Sequence, residues 1–497
     1  MHREGAADPA TVSDMFFAVA HRHASRPAIV EAGITITFAD LEERVLALIA
    51  HLDAQGVRLG ASVAVVLPNG ANFVSAYFAC AALGAVVVPL SESYQEGELL
   101  RFFQVCMVSA VATAGQAAPR CRAAAAGLEP PAALVVLDEM AADAWRPPAQ
   151  ALARVRTTSA DAPAMYQLSS GSTGRPKRIA RTHRQLLGEL EALRQTLSFS
   201  PDDRFLGVTP FSHVNGLMRT MMSSVHAGAA LYPLPKFDRQ AVTATIEDGH
   251  LSVFIGVPFM FAMLAKAQFR RRPDLSSLRL CVSASAPLPS ALNRLFADRF
   301  GRYVRQLYGS TETGSISVNM RADVAETLES VGRPLPGVEV RVRNAQGGEA
   351  APGEVGEVTV MSPFAMSASG DGAHEAFREG AFWTGDLGRR DQDGLLYLVG
   401  RKSLLINRGG YKVNPRDVEA VLESHPSVEE AVAIGVPTSY GDERIRAIIV
   451  ANGPCTADEL LEYCRSRIAP FKVPSVIDIR AELPKTPSGK IRRDALQ

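Results

Sequence analysis

The sequence has no excess of either charge. Its 497 residues include 52 Lys and Arg and 52 Asp and Glu, so the formal net charge is zero. Proteins that bind nucleic acid non-specifically need a basic excess, because they displace counterions from the phosphate backbone. The balance therefore argues against a nucleic-acid partner, but it leaves room for a local basic patch that binds a phosphorylated small molecule.

Cysteine is scarce, and the six cysteines form no CxxC pair. A zinc ribbon or a thioredoxin-like site is therefore not expected. Cys80 and Cys281 lie in apolar runs and read as small buried side chains. This usage fits a reducing compartment better than secretion, and we expect a cytoplasmic protein.

Long hydrophobic runs are also missing. The most apolar stretch, residues 74–90, is interrupted by Gly84 and Pro89, and the N-terminal residues lack the apolar core of a signal peptide. We expect no membrane span.

The distribution of apolar residues predicts an α/β protein of more than one domain. Strand and helix patterns alternate over residues 34–110 and again over 164–330, which is typical of a parallel sheet with helices on its faces. One helix is expected to begin after Asp40 as its cap. Short strands with Gly and Asp turns over 331–400 indicate an antiparallel or barrel-like piece, and the last hundred residues indicate a small α+β domain.

The strongest local motif is Leu-Ser-Ser-Gly-Ser-Thr-Gly-Arg-Pro-Lys at 168–177, directly after a predicted strand. Its glycines, hydroxyls and lysine can surround phosphate oxygens with donors. It is not a Walker A loop, because Arg175 and Pro176 separate Gly174 from Lys177. A Ser/Gly linker is the alternative.

A second motif is Gln-Leu-Tyr-Gly-Ser-Thr-Glu at 306–312. Tyr308 offers a face for a purine, Thr311 offers a hydroxyl to a phosphate, and Glu312 offers the oxygen ligand that Mg²⁺ prefers. The alternative is a helix N-terminus capped by Ser310 or Thr311.

Two weaker motifs complete the set. Asp386, with Arg401 after it in the chain, could hold ribose hydroxyls; the alternative is a turn aspartate and a surface ion pair. Lys490 lies in Pro-Lys-Thr-Pro-Ser-Gly-Lys, a segment that cannot form a helix, so its charge could reach into a site. The alternative is a solvated lysine near the end of the chain.

In this order and spacing the motifs resemble the adenylate-forming superfamily of acyl-CoA synthetases, adenylation domains of peptide synthetases and beetle luciferases. Further segments resemble motifs of that family, and the resemblance runs from about residue 15 to the end. They are GAVVVPLS (84–91), PFSHVNG (210–216), SASAPLP (283–289), VGRPLPG (331–337) and RGGYKVNPRDVE (408–419).

The resemblance implies that ATP and Mg²⁺ convert a carboxylic acid to an acyl-adenylate, which then reacts with the thiol of coenzyme A. It implies a large N-terminal domain (1–402) for the nucleotide and the acid, and a small mobile C-terminal domain (403–497). The catalytic residues would be Lys490, Thr173, Glu312 and His213, with Glu312 as the metal ligand. The nucleotide-binding residues would be Ser169, Ser170, Gly171, Ser172, Thr173, Gly174, Lys177, Ser285, Ala286, Pro287, Tyr308, Gly309, Ser310, Thr311, Asp386, Arg401 and Lys490.

The same resemblance places the thiol and the acid. Gly409 and Gly410 would line the pantetheine tunnel, where a residue without a Cβ lets a chain pass close to the backbone. The acid would contact His213, Asn215, Arg219, Ala284 and Gly309. Two positions depart from the family pattern: Ser403 stands at the hinge, usually Asp or Lys, and Arg178 replaces a glycine after Lys177.

The residues of the 210–219 segment bear on the identity of the acid. No Asp begins the 210–216 motif, which disfavours an amino acid. Asn215 and Arg219 are four residues apart and would share one helix face. They could line a polar pocket for a substituted aromatic acid or a dicarboxylate, with Arg219 pairing a substrate anion. The alternative is that Arg219 faces solvent or a structural partner.

Three other functions stay open. The chain could load a carrier-protein phosphopantetheine instead of coenzyme A, it could be a catalytically silent nucleotide-binding protein, or it could catalyse a luciferase-type oxidation. A homodimer is compatible with all of them.

Overall fold

A computed structural model describes residues 9–170, 176–366, 376–408, 411–437, 443–468, 470–486 and 491–496. The chain divides into two compact units. The first comprises Met1–Glu339 and Met361–Gly380, and the second comprises Val340–Val360 and Ala381–Gln497. Both units mix helices with sheets, so the predicted α/β class is confirmed. The predicted domain limits, 1–402 and 403–497, stay a prediction.

The helices of the first unit pack on the faces of its sheets. They are α1 (Val12–Arg22), α2 (Phe38–Ala54), α3 (Ala71–Ala82), α4 (Glu96–Val105), α5 (Ala118–Ala126), α6 (His183–Leu197), α7 (Ser223–His226), α8 (Arg239–Gly249), α9 (Pro258–Lys266) and α10 (Ser290–Phe300), with a π-helix at Asn215–Met222.

Helix α2 begins earlier than the sequence suggested. Thr37 is its N-cap, and the Thr37 hydroxyl accepts a hydrogen bond from the Asp40 backbone N–H at 3.1 Å. The Asp40 carboxylate accepts the Thr37 N–H in return at 2.9 Å. Asp40 is therefore the third helical residue of a capping box and not the cap.

The strands of the first unit form two sheets of mainly parallel strands. They are β1 (Pro27–Glu31), β2 (Ile34–Thr37), β3 (Ser62–Val66), β4 (Val86–Leu90), β5 (Val108–Thr113), β6 (Ala133–Val136), β7 (Pro163–Ser170), β8 (Pro176–Thr182), β9 (Arg204–Gly207), β10 (Ala230–Pro233), β11 (Val253–Gly256), β12 (Leu280–Ser283), β13 (Arg305–Ser310), β14 (Gly314–Val318) and β15 (Ser330–Pro334).

One sheet has the order β6-β5-β3-β4-β7-β8 and is parallel except for the antiparallel β7–β8 hairpin. The other runs β2-β1-β10-β9-β11-β12-β13-β14-β15. Its strands are parallel from β1 to β13, and the pairs β1–β2, β13–β14 and β14–β15 are antiparallel. Strands β3 and β4 are buried at every position, as expected for strands covered on both faces.

The described part of the second unit contains mainly antiparallel strands and two α-helices. They are β16 (Glu339–Arg343), β17 (Gly356–Met361), β19 (Ala381–Arg390), β20 (Leu396–Arg401), β21 (Ile406–Arg408), β22 (Tyr411–Val413), β23 (Val428–Pro437), β24 (Glu443–Ala451) and β25 (Val476–Arg480), with α11 (Pro415–Glu423) and α12 (Ala457–Arg465); the two-residue β18 (Phe377–Arg378) belongs to the first unit.

Strands β16, β17, β19 and β20 are neighbours in that order and form the antiparallel piece expected over 331–400. Strands β23-β24-β25 and both helices form the α+β part, around a core that includes Val418, Leu422, Ile445 and Leu460.

Candidate active site

Four parallel strands of the first unit direct their carboxyl ends to one edge of the sheet. The segments that follow β9, β11, β12 and β13 are 208–213, 257–258, 284–287 and the turn 311–313. Ligands of open parallel sheets bind at this edge, because the loops that leave it converge there. Three of the predicted motifs, at 210–216, 283–289 and 306–312, meet at this edge.

The QLYGSTE motif is a β-hairpin and not a helix N-terminus. Strand β13 turns back into β14, and Gly309 pairs with Ser315. The Ser310 hydroxyl accepts the Thr313 N–H at 3.1 Å, and the Glu312 carbonyl accepts the Met366 N–H at 2.8 Å. The hairpin fixes the backbone and leaves Thr311 and Glu312 partly exposed. Tyr308, inside β13, is only 9% exposed.

Gln306, which the sequence analysis gave no role, connects this hairpin to the neighbouring loop. Its side-chain oxygen accepts the Leu288 N–H at 2.8 Å, and its amide donates to the Leu328 carbonyl at 2.6 Å. The loop it holds contains Ser285, which has a left-handed backbone at φ 74°, and the exposed Ala286 and Pro287. A left-handed L-residue costs about 1–2 kcal/mol, so surrounding contacts must hold it in place.

The serine- and glycine-rich loop connects β7 to β8. Ser169 pairs with the exposed Lys177 in this hairpin. Gly171, Ser172, Thr173 and Gly174 lie outside the described residues, as do the side chains of Ser169 and Ser170. Arg178, the departure from the family pattern, lies over the Tyr166 ring at 4.7 Å.

Asn69 and Gly216 fix the segment that contains His213. The Asn69 amide donates to the carbonyls of Gly207, Thr209 and Leu234 at 3.0–3.2 Å, and its oxygen accepts the Phe211 N–H. A Cβ on Gly216 would lie 2.2 Å from the carbonyl oxygen of Pro210, so the chain can turn closely there only with glycine.

The π-helix then begins at Asn215, whose amide donates to the Gly256 carbonyl at 3.1 Å. π-Helical turns occur frequently at functional sites. Arg219, one turn later, is 3% exposed, and its guanidinium lies 3.5 Å from the Asn215 oxygen. The two residues therefore share a face, as predicted. Arg219 does not face solvent, and its contact with Asn215 fits the alternative of a structural partner.

Arg219 belongs to a buried charged cluster. Its Nε donates to the Ser315 hydroxyl at 3.0 Å, and its Nη2 lies 2.5 Å from the position of a Cβ on Gly309. Burial lowers the pKa of Arg219 to about 10, with Glu189 opposing this change and Arg181 adding to it. Two guanidinium groups and one carboxylate leave one excess positive charge beside Gly309.

In the second unit, the structure brings Asp386 and Arg401 together across two strands. They are direct partners in the β19–β20 ladder, with 3.5 Å between the Arg401 Nε and the Asp386 carboxylate. The Asp386 N–H donates to the Thr384 hydroxyl at 3.0 Å. The arginine side chain is 57% exposed, so the pair is accessible to a hydroxylated ligand.

Four predicted residues of the second unit also fall, wholly or in their side chains, outside the described residues. Gly409, Gly410 and Lys490 lie outside the described residues, as does the side chain of Ser403, whose backbone forms part of the 3₁₀ turn Lys402–Leu404.

The described residues fit Mg²⁺ only when the nucleotide completes its coordination. They contain no group of three or more His, Cys, Asp or Glu side chains that could hold a metal ion. Mg²⁺ at nucleotide sites commonly takes one or two carboxylates together with phosphate oxygens and water. The partly exposed Glu312 on its fixed hairpin meets that requirement.

None of the described helices is both long enough and apolar enough to cross a membrane. The six cysteines are all free thiols, and only Cys455 is not buried.

Comparisons with known proteins agree with this geometry. Feruloyl-CoA synthase from Amycolatopsis sp. is 33% identical over 93% of this chain and 94% of its own. Sulfoacetate–CoA ligase from Cupriavidus necator is 32% identical over 93% and 92%. The solved structure of o-succinylbenzoate CoA synthetase from Bacillus subtilis, in complex with its acyl-adenylate intermediate, has a TM-score of 0.86, 28% identity and 97% coverage of both chains.

These relatives, the same synthetase solved in complex with ATP and magnesium ion, and the family model below confirm the prediction of an AMP-forming acid–CoA ligase that uses ATP, Mg²⁺ and coenzyme A. The model of the AMP-binding enzymes matches residues 16–368, and the model of their C-terminal domain matches residues 417–490. The chain therefore belongs to the AMP-binding enzyme family.

Proposed function

We propose that this chain joins a carboxylic acid bearing a second polar or anionic group to AMP, with release of pyrophosphate, and then transfers the acyl group to the thiol of coenzyme A. The observation that carries the proposal is the convergence of the 210–216, 283–289 and 306–312 segments at the carboxyl edge of one parallel sheet.

The first step brings a carboxylate to the α-phosphate, so two anions must approach each other. The barrier falls when preorganised cations and donors lie where charge accumulates. In the proposal, residues 169–177 hold the β- and γ-phosphates, Thr311 holds the α-phosphate, and Tyr308 stacks on adenine. Bound Mg²⁺ supplies positive charge to the phosphates, with Glu312 as its protein ligand.

Lys490 bridges the acid carboxylate and the α-phosphate during this step. Asp386 and Arg401 bind the ribose, since the pair presents an acceptor and a donor on one exposed surface. We expect Lys490→Ala to slow adenylation on the order of a hundredfold or more, the effect of losing one preorganised donor.

Two half-reactions measured separately test this assignment. Acid-dependent exchange of labelled pyrophosphate into ATP reports adenylation, and thioester formation from supplied acyl-adenylate reports thiolysis. Lys490→Ala should impair the first far more than the second, and equal damage to both would refute its role. No exchange by the wild-type chain with any acid would refute the proposed reaction and favour a silent nucleotide-binding protein.

The thiol enters along Gly409 and Gly410 in the proposal, with His213 between the tunnel and the acid pocket. Ser403 is the hinge about which residues 403–497 rotate relative to 1–402 between the two steps. A carrier-protein phosphopantetheine is the alternative acceptor, and a thioester assay with free coenzyme A alone separates the two. A cytoplasmic location and a homodimer belong to the same proposal.

The excess positive charge supports the choice of acid. A buried charge is costly unless an anion or hydrogen bonds compensate it. Arg219 lies against Gly309. In the proposal, the small side chain of the buried Ala284 leaves room for a ring or a short chain. An acid with a second anionic or strongly polar group would place that group near Arg219.

A substrate panel with Arg219→Met tests this choice, because methionine keeps much of the volume and removes the charge. Pyrophosphate exchange should favour dicarboxylates, sulfonated acids or hydroxylated aromatic acids over plain fatty acids. The variant should lose about tenfold or more in kcat/KM for the preferred acid, a loss of about 1.4 kcal/mol. Best activity on plain fatty acids, with unchanged selectivity in Arg219→Met, would contradict the choice.

A further inference from the structure

The turn that contains Thr311 and Glu312 is backed by a fully buried ion pair. Arg181 on β8 and Glu189 on α6 are each 0% exposed, and the Arg181 Nη2 lies 2.8 Å from the Glu189 Oε2. The other carboxylate oxygen, Oε1, accepts the backbone N–H of Ser315 at 2.8 Å. Ser315 is the second residue of β14, directly after the turn.

The same carboxylate also restricts the position before Ser315 to a residue without a Cβ. Gly314 has a left-handed φ of 72°, and a Cβ there would lie 2.6 Å from the Glu189 Oε2. One carboxylate therefore contacts both residues at which the turn enters β14. Arg219 holds the Ser315 side chain from another direction, through its hydroxyl.

We propose that Glu189, oriented by Arg181, is a positioning residue that anchors Gly314 and Ser315 and so places Thr311 and Glu312 for the magnesium-bound nucleotide. The roles of Thr311 and Glu312 come from the proposed function, and the inference rests on it. Arg181 and Glu189 are both fully buried, so in the proposal neither touches the substrates. They act through the backbone of the turn, whose length and register leave few alternative positions for the two side chains.

The charge state of Glu189 supports this role. Burial opposes ionisation, but Arg181, Arg219 and the hydrogen bonds from Arg181 and Ser315 together hold the pKa of Glu189 below its usual value. An ionised acceptor makes a shorter and stronger hydrogen bond to a backbone N–H than a neutral one. A buried ion pair adds little stability compared with apolar side chains of similar size, so its geometry is the more informative property.

Two double variants form a matched pair. Arg181→Met with Glu189→Gln removes both charges and keeps an acceptor for the Ser315 N–H. Arg181→Met with Glu189→Leu removes the same charges and the acceptor as well. Each is titrated calorimetrically with a non-hydrolysable ATP analogue, with and without Mg²⁺, and then assayed for pyrophosphate exchange across a range of Mg²⁺ concentrations.

We expect the leucine variant to bind the magnesium complex about tenfold or more weakly, the usual effect of losing a residue that orients a metal ligand. Its affinity for the analogue without Mg²⁺ should change little, and the glutamine variant should keep most of the magnesium-dependent gain. Exchange by the leucine variant should need correspondingly more Mg²⁺. Equal magnesium-dependent affinities in the two variants would overturn the inference.

Two further variants separate the proposed positioning effect from a folding defect and from a general loss of stability. If the leucine variant does not fold, Glu189→Asp with Arg181 retained withdraws the carboxylate from Ser315 and must show the same loss. Arg279→Met removes the partner of Asp203, a carboxylate that is 3% exposed, and should leave the magnesium dependence unchanged. A wild-type chain that exchanges no pyrophosphate would count against the proposed function, whereas active variants with normal magnesium affinity would count against the positioning role alone.

Discussion

A buried histidine should make the first unit sensitive to mild acid. His183, the first residue of α6, is 1% exposed, and its Nδ1 accepts the backbone N–H of Val12 at 3.2 Å. Burial lowers the pKa of His183 to about 4, although the nearby Asp14 opposes this change. The folded chain therefore keeps this imidazole neutral across a pH range in which the unfolded chain protonates it.

The sign of the change in stability with pH follows from the difference in proton uptake between the folded and unfolded states. Between about pH 6.5 and pH 4 the unfolded state binds more protons, so the free energy of unfolding falls as the pH falls through this window. Each pKa unit is equivalent to 1.36 kcal/mol. His183 therefore lowers the free energy of unfolding by about 2 kcal/mol between pH 7 and pH 5, and by about 3 kcal/mol once the pH is below both pKa values.

Urea unfolding at pH 7 and pH 5, followed by circular dichroism, measures the effect. In His183→Asn the side-chain oxygen can still accept the Val12 N–H but does not titrate, so this variant should lose about 2 kcal/mol less than the wild type between the two pH values. His250→Asn is the control: His250 is exposed at a left-handed helix end, φ 47°, where asparagine is well tolerated. An unchanged pH dependence in His183→Asn would refute the reasoning.

Three further substitutions test the site. Gly314→Ala should destabilise the chain by about 1–2 kcal/mol, because φ is 72° and the new Cβ would displace Glu189, and thermal unfolding with pyrophosphate exchange should show both defects. Gly216→Ala should cost about 1–3 kcal/mol, since its Cβ would lie 2.2 Å from a backbone oxygen; a normal melting temperature would contradict that close contact. Asp386→Asn should raise the KM for ATP about tenfold and leave the KM for the acid unchanged, as expected for a group that binds the ribose beside Arg401. An equal change in both KM values would point to a structural role.

The sequence predicted many helices and strands correctly, because each depends on the pattern of apolar residues within a short stretch of chain. The alternating strand and helix patterns predicted over 34–110 correspond to elements that include β3, α3 and β4. The α+β domain predicted for the last hundred residues corresponds to α11, β23, β24 and α12. The error at the start of α2 is instructive. Thr37 and Asp40 are both good capping residues, and the capping box assigns them different positions.

The juxtaposition of Asp386 and Arg401 could also be predicted from the sequence, whereas their role at a nucleotide stays a prediction. Asp386 and Arg401 are 15 positions apart, but two antiparallel strands with a short connection bring such residues opposite each other. The hairpin form of the QLYGSTE motif was missed, because hydroxyl residues before a turn look the same at a helix cap and at a hairpin end.

The sequence by itself therefore determined the α/β class, through its alternating apolar patterns, and the family, through the resemblance of its ordered motifs, since both depend on residues that are neighbours along the chain. Only the tertiary structure decided that Arg219 is buried against Ser315, 96 positions away, and that Glu189 holds the N–H of the same residue across 126 positions. Arg181 follows the buried Ile179 by two positions on β8, so alternation marks it as inward-facing. The identity of its partner depends on how helix and sheet pack, and a one-dimensional pattern does not contain that geometry.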